Sequence, residues 1–138
     1  MPSMGVNFLA VVAAAVAAFV LGALWYSPAL FARQWMAAHS YTPEKVEAMK
    51  QGMSRSYAIS FVCFLVMAWV MAVLLDRLGV MSALGGFKVA GLIWLGFAAT
   101  IGLTANLYSD KPLAVYLIDA GYQLVYMVGM GVILAVWR

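Results

Sequence analysis

The feature that most constrains this chain is a set of four long apolar stretches that carry almost no charge. A helix needs about 20 residues to cross a hydrocarbon core of roughly 30 Å, and each stretch has about that length. Uniformly apolar segments of this length predict helices, because barrel strands alternate over about 10 residues. We place the spans at residues 6–30, 57–75, 89–107 and 113–137. The sequence therefore predicts an all-α, multi-pass membrane protein in which residues 1–138 form a single transmembrane domain.

Composition excludes several other classes of protein. The chain is 67% hydrophobic and 9% charged, whereas soluble domains are roughly half apolar and a quarter charged. A net charge of +3, scattered along apolar neighbours, lacks the basic face typical of nucleic-acid binding. A catalytic metal site usually needs about three protein ligands, and the chain has one cysteine, Cys63, and one histidine, His39. We expect the lipid bilayer as partner, with no nucleic acid, no metal and no cofactor.

The connection between the first two spans carries the pattern of a helix start. In Thr42-Pro43-Glu44 the threonine can cap free amides, and proline at the first helical position loses no hydrogen bond. Apolar residues then recur at spacings of three and four, which predicts a short interfacial helix at residues 43–53.

The remaining connections are short and predict antiparallel neighbours in an up-down-up-down bundle. Gly79 is placed to end the second helix, and Gly85-Gly86 to break the chain before the third. Lysine and arginine favour cytoplasmic loops. Five of them, Arg33, Lys45, Lys50, Arg55 and Lys111, lie in the first and third connections, against Arg77, Lys88 and Arg138 on the other side, so we expect those two connections in the cytoplasm.

Small residues mark a packing face on the first span. Helices in lipid associate where small side chains let their backbones approach, and Ala10, Ala14, Ala18 and Gly22 recur at every fourth position. This face can pack within one bundle or between subunits.

Asp119 stands out because it lies six residues past Leu113 in an otherwise uncharged span. An aspartate at the centre of a membrane helix costs about 2.5 to 3.5 kcal/mol, so it must face protein or water. Antiparallel packing predicts that polar groups from all four spans gather in one half of the membrane. We expect Arg55 as the countercharge of Asp119 and Asn106 as a hydrogen-bond donor to it. The expected cluster comprises Asp119, Asn106, Tyr122, Gln123, Tyr126, Tyr26, Ser60 and Arg55.

Pro28 and its neighbours indicate where the first span meets the membrane surface. Proline leaves the carbonyl of Leu24 without its helical partner, which predicts a kink or an end there. Trp25 and Trp35 flank the proline and are expected to anchor the chain at the headgroup boundary, where aromatic rings settle.

Three groups of residues together resemble a known family. These are Trp25-Tyr26-Ser27-Pro28 with Phe31 and Trp35, then Ala105-Asn106, then Ile118-Asp119-Ala120-Gly121-Tyr122. They are similar to a bacterial membrane-protein family catalogued as domain of unknown function 1761, and the likeness covers essentially the whole chain. The resemblance implies a small inner-membrane protein with about four helices, and it implies no activity, substrate or cofactor. Ala32 departs from the glycine that the family pattern has after its phenylalanine.

Two functions are compatible with these observations. Enzymatic chemistry needs an activated nucleophile, a metal or paired acid and base groups, and because none is convincing here we do not expect an enzyme. The first hypothesis is a self-associating structural or accessory subunit, working as a homo-oligomer or within a larger membrane complex. The second is an oligomeric small transporter or channel in which Asp119 couples to protons or cations. A cleft reaching Asp119 would favour transport, and a sealed aspartate would favour the structural role.

Overall fold

The computed structural model describes residues 6–137, and within that range the chain is helical and contains no strand. The helices are α1 (Phe8–Trp25), α2 (Ala32–His39), α3 (Pro43–Met49), α4 (Met53–Arg77), α5 (Ala83–Ile93), α6 (Ala99–Tyr108) and α7 (Leu113–Val136). A 3-10 turn at Lys50–Gly52 joins α3 to α4, and a π-helical segment at Trp94–Ala98 joins α5 to α6. The prediction of an all-helical chain is confirmed over these residues. Positions 1–5 and 138 lie outside them.

Within residues 6–137, four continuous helices are long and apolar enough to cross a membrane: Phe8–Trp25, Pro43–Arg77, Ala83–Tyr108 and Leu113–Val136. Their outward faces carry large apolar side chains, such as Phe8 at 67% and Leu92 at 71% exposure. This pattern is that of a protein whose solvent is lipid, since a water-soluble bundle would bury such side chains.

The first span is shorter than expected. Asn7 begins α1, because its Oδ1 accepts from the amides of Leu9 and Ala10 at 3.0 and 3.2 Å. At the other end, both the amide (3.1 Å) and the hydroxyl (2.6 Å) of Ser27 donate hydrogen bonds to the Leu24 carbonyl. The helix therefore ends at Trp25, and Pro28 lies in the following turn. Of the two outcomes expected at Pro28, the structure has the helix end and not the kink, because the proline follows the end of α1 and does not bend it.

The first connection contains a helix that the sequence did not predict. α2 follows the turn at Pro28 and ends at Ser40, whose φ of 58° is left-handed. Thr42 then caps α3, as expected, through a bond from the Lys45 amide to its Oγ1 at 3.1 Å. The predicted helix at 43–53 is present over its first part as α3, and a 3-10 turn joins it directly to α4. No proline interrupts this stretch, so the helix continues to Arg77.

The two glycine signals near the second connection have different outcomes. Gly79 has a φ of +69° just after α4, so its prediction as a helix end is confirmed. Gly85 and Gly86 lie inside α5, which begins after the Ser82 cap, so their prediction as a break is wrong. Gly86 instead permits a close crossing of α5 and α7: a Cβ on Gly131 of α7 would lie 2.6 Å from the Gly86 carbonyl oxygen.

The centre of the bundle is built from α1, α4, α5 and α7. Ala10, Ala14 and Ala18 of the predicted packing face are buried, at 0 to 2% exposure, inside this single chain. Phe19 packs edge-to-face on Tyr57 and Phe61, with ring centroids 5.7 and 6.0 Å apart, so the start of α4 lies beside the end of α1.

Candidate functional site

The carboxylate of Asp119 joins three elements of the fold. Its Oδ1 accepts a hydrogen bond from the Tyr26 hydroxyl at 2.6 Å and another from the Trp35 indole Nε1 at 3.0 Å. Tyr26 follows the last residue of α1, Trp35 lies on α2, and Asp119 lies on the second turn of α7. The turn at Pro28 folds α2 back onto α7, and this placement brings the indole to the carboxylate. Both donors are neutral, so the aspartate is hydrogen-bonded without being ion-paired to them.

Two further indoles reach the backbone beside Asp119. Trp25 Nε1 donates to the Ile118 carbonyl at 3.0 Å, and Trp94 Nε1 donates to the Ala120 carbonyl at 3.1 Å. With Trp35, three tryptophans from three different elements converge on three consecutive residues of α7. The interpretation of Trp25 and Trp35 as interfacial anchors stays a prediction; their indole N–H groups donate to α7.

Tyrosine rings fill the space next to this hub. Tyr122 lies 5.4 Å from Tyr26 and 4.8 Å from Tyr126, measured between ring centroids. Its hydroxyl donates to the Ala18 carbonyl at 2.7 Å. A Cβ at Gly22 would lie only 2.6 Å from that hydroxyl. The last residue of the small-residue face on α1 thus makes room for Tyr122.

An aromatic stack orients Trp35 from its other side. His39 lies 4.2 Å from Trp35 and is stacked on Tyr41 at 4.6 Å with an interplanar angle of 16°. The Nε2 atom of His39 is covered and has no hydrogen-bond partner among the described residues. Burial lowers the pKa of His39, and Lys111 lowers it further, while Asp119 acts in the opposite direction. The surroundings of the imidazole therefore favour its neutral form, and the ring serves as a flat packing surface for the indole.

A groove of about 170 Å³ is lined by Asp119. It lies between α6, α7 and the turn that connects them. Its apolar lining residues are small or medium-sized: Gly102, Ala105, Val115 and Ala120. Its polar lining residues are Asn106, Ser109, Lys111, Tyr116, Asp119 and Gln123. Asp119 thus accepts two hydrogen bonds through Oδ1 and also lines an open groove.

Asn106 lies in the groove but does not bond Asp119 as expected. Its Nδ2 donates to the carbonyl of Lys111 at 3.1 Å and of Pro112 at 3.5 Å. Asn106 is 7% exposed, so its amide needs partners within the protein. The carbonyls of the turn after α6 lie next to it and accept its hydrogen bonds. The asparagine therefore holds the α6–α7 turn, and its Oδ1 makes no hydrogen bond within the described part of the chain.

The other expected members of the cluster are divided between the site and its surroundings. Gln123 is half-buried in the groove wall. Tyr126 is buried one turn further along α7, and its hydroxyl reaches Met67 Sδ at 3.6 Å. Ser60 is half-buried on α4 and bonds none of the cluster residues. Arg55 is exposed at the start of α4 and forms no ion pair within residues 6–137, so the structure does not supply the expected countercharge.

Sequence reasoning missed α2 and Trp94 as parts of the site. The i, i+4 spacing of Trp35 and His39 was the available signal for an aromatic face on α2. Trp94 carried no comparable signal, because it lies in an apolar span. The π-helical turn that contains it changes the helical spacing locally. Groups of three or more potential metal ligands are absent from the described residues.

The apolar helices and the polar hub within them define a small helical membrane protein with an intramembrane carboxylate. A family model described as a protein of unknown function (DUF1761) matches residues 9–135. The chain therefore belongs to this family, and the resemblance seen in the sequence is confirmed. No curated protein and no solved structure matches the chain. The residues that carried the resemblance meet in the fold: Tyr26 and Trp35 of the first group bond Asp119 of the third.

Proposed function

We propose that this protein is a small transporter or channel subunit that works as an oligomer, in which Asp119 binds a proton or a cation. The observation that carries the proposal is the position of Asp119 between two neutral donors and an open groove. A single bundle of this size is too small to enclose a pathway, which is why the proposal includes an oligomer.

The hydrogen bonds to Asp119 use only one of its two carboxylate oxygens. Both donors point at Oδ1. The other oxygen, Oδ2, has no donor within the described residues. Oδ2 is therefore the atom that can bind a cation or a proton from the groove, and intramembrane acids commonly mark ion pathways.

The substitution Asp119→Asn tests this proposal. Asparagine keeps a carbonyl oxygen that can accept from Tyr26 and Trp35, but it removes the charge. We expect proteoliposomes with the wild-type protein to dissipate an imposed proton or cation gradient, read by an internal dye, and the variant to lose that flux. The matched control is Asp110→Asn, because Asp110 is exposed at a φ of 55°, a backbone conformation that asparagine tolerates. Equal flux in wild type and Asp119→Asn would contradict the proposal.

A structural or accessory subunit is the second candidate, and one surface favours it. Gly96, Thr100 and Thr104 recur at spacing four on the outside of the third span, and all three are exposed. Small residues of this kind let helices associate in lipid. Replacing Gly96 and Thr100 by leucine should convert an oligomer to a monomer, as read by native mass spectrometry from nanodiscs. Oligomerisation without any flux would favour this second candidate.

We further propose an up-down-up-down arrangement in the cytoplasmic membrane of a bacterium, with the first and third connections in the cytoplasm. The balance of five basic residues against three supports this orientation. We place Pro43–Met49 at the membrane surface, since its charged side chains are exposed and Lys50 pairs with Glu47 at 3.2 Å. A reporter fused after Arg138 should be active only outside the cytoplasm, and full cytoplasmic activity would reverse the orientation.

A further inference from the structure

We propose that the groove between α6 and α7 binds a small zwitterion, with its ammonium group at Asp119 and its anionic group at Lys111. This inference rests on the proposed role of Asp119 as a cation-binding group and adds the chemical class of the ligand. The same chemistry is offered by a soluble amino acid and by the headgroup of phosphatidylethanolamine.

The inner end of the groove presents an acceptor suited to an ammonium group. Asp119 lines the groove, with Oδ1 fixed by Tyr26 and Trp35. Asn106 lies nearer the α6–α7 turn, because both bonds from its Nδ2 go to carbonyls of that turn. A primary ammonium group has three N–H donors, and the carboxylate of Asp119 can accept from it.

The outer end presents a cation. Lys111 belongs to the groove wall and is exposed, and the only salt bridge within residues 6–137 joins Lys50 to Glu47. Its backbone is fixed by the bond from Asn106 to its carbonyl. Asp119 lies six residues into α7, about 9 Å along the axis at a rise of 1.5 Å per residue. The groove therefore has opposite charges toward its two ends, and these charges are not paired with each other.

The groove has room for a small ligand, since its volume is about 170 Å³. Tyr116 lies beside it, because its hydroxyl donates to the Ala99 carbonyl at 2.8 Å. Its ring also lies close to Gly102, where a Cβ would be 3.3 Å away. β-Alanine has six heavy atoms and opposite charges at its two ends, which makes it a suitable probe.

The test compares β-alanine with its two halves, propylamine and propionate, on the protein in phosphatidylcholine nanodiscs. Calorimetric titration should give at least a ten-fold tighter dissociation constant for β-alanine than for either half. In Lys111→Gln, β-alanine and propylamine should have about the same dissociation constant. Lys88→Gln is the matched control, because Lys88 is also exposed but lies near the other end of the third span. Absence of β-alanine binding, or an advantage that survives Lys111→Gln, would overturn the inference.

The two sources of the zwitterion are separated by exchanging the lipid. If the natural occupant is a lipid headgroup, discs rich in phosphatidylethanolamine should weaken β-alanine binding, and the lipid should remain bound in native mass spectrometry. Phosphatidylcholine has no N–H donor and should not compete. Unchanged β-alanine binding in the phosphatidylethanolamine discs assigns the site to a soluble zwitterion.

The same experiments separate this inference from the proposed function. Flux that depends on Asp119, together with no β-alanine binding, would leave the proposed function standing and defeat the zwitterion. Lys111 lies in an exposed turn, so Lys111→Gln tests the inference even if a variant at Asp119 fails to fold.

Discussion

The two ends of α7 are held in the bundle by different forces. At its first turns, around Ile118–Ala120, three indoles and a tyrosine hydroxyl donate hydrogen bonds from three other parts of the chain. Near its last turns, Gly131 packs against the backbone of Gly86 and the side chain of Ala90. In lipid, where burial of apolar side chains gains nothing, packing and hydrogen bonds are what remains to join helices. The comparison separates a polar end, which carries a carboxylate that can bind a ligand, from a close-packed end, whose role is to join α7 to α5.

The largest expected effect is at the close-packed end. Gly131→Leu would place side-chain atoms where the Gly86 carbonyl and the Ala90 methyl already lie, with a Cβ at 2.6 and 2.7 Å from them. Overpacking costs about 1–3 kcal/mol and occasionally more, and we expect about 3 kcal/mol here because the obstacle is backbone. Thermal unfolding in detergent or steric trapping in bicelles measures it. Gly129→Leu is the control, since apart from its chain neighbours and its own helix backbone no atom of the described residues lies within 4 Å of its Cβ position. Equal losses in both variants would remove the distinction between the two ends.

A smaller effect is expected at the polar end. Tyr26→Phe removes one hydrogen bond to Asp119, and hydrogen bonds to charged groups contribute about 1.5–3 kcal/mol. We expect a loss of about 1.5 kcal/mol, because Trp35 still donates to the same oxygen. Tyr57→Phe is the matched control, with an exposed ring and no hydrogen bond from its hydroxyl within the described residues. If Tyr26→Phe leaves the free energy of unfolding unchanged, the hydrogen bond to Asp119 is not made in the membrane.

The smallest effect concerns the aromatic stack that supports Trp35. The pKa of His39 is lowered in the folded protein from its ordinary 6.5. Between the folded pKa and 6.5, the unfolded chain therefore binds more protons at this residue than the folded chain does. Stability is therefore fully present above pH 6.5 and falls as the pH drops from 6.5 to the folded value. We expect a modest loss of unfolding temperature between pH 7 and pH 5 that His39→Gln abolishes. An identical pH dependence in the variant would place the titration elsewhere.

The spans could be predicted from the sequence because length and hydropathy alone decide which segments lipid accepts. Thr42 and Gly79 could be predicted because caps depend on local chemistry. The gathering of Tyr26, Tyr122 and Asp119 could be predicted because the expected antiparallel arrangement puts the end of the first span beside the start of the fourth.

The partners within the site could not be predicted, and the reasons are physical. Asn106 and Arg55 were assigned to Asp119 because of their residue types and their expected depth in the membrane. The Asn106 amide instead bonds carbonyls of the nearby α6–α7 turn. The Arg55 side chain is exposed and does not reach the carboxylate. Trp35 reaches Asp119 only because α2 folds back after Pro28, which depends on tertiary contacts. Gly86 was interpreted as a helix breaker because its partner, Gly131, lies 45 residues away in the sequence.

The most direct test of the account is the environment of the indole N–H groups in lipid. With ¹⁵N-labelled tryptophan, Asp119→Asn should shift the Trp35 resonance strongly, since its acceptor loses a charge. Trp25 and Trp94 should shift slightly, because they bond the carbonyls on either side, and Trp69 should not move, since it is exposed on α4. A Trp35 resonance that is the same in both proteins would contradict the claim that this end of the bundle is assembled on the carboxylate of Asp119.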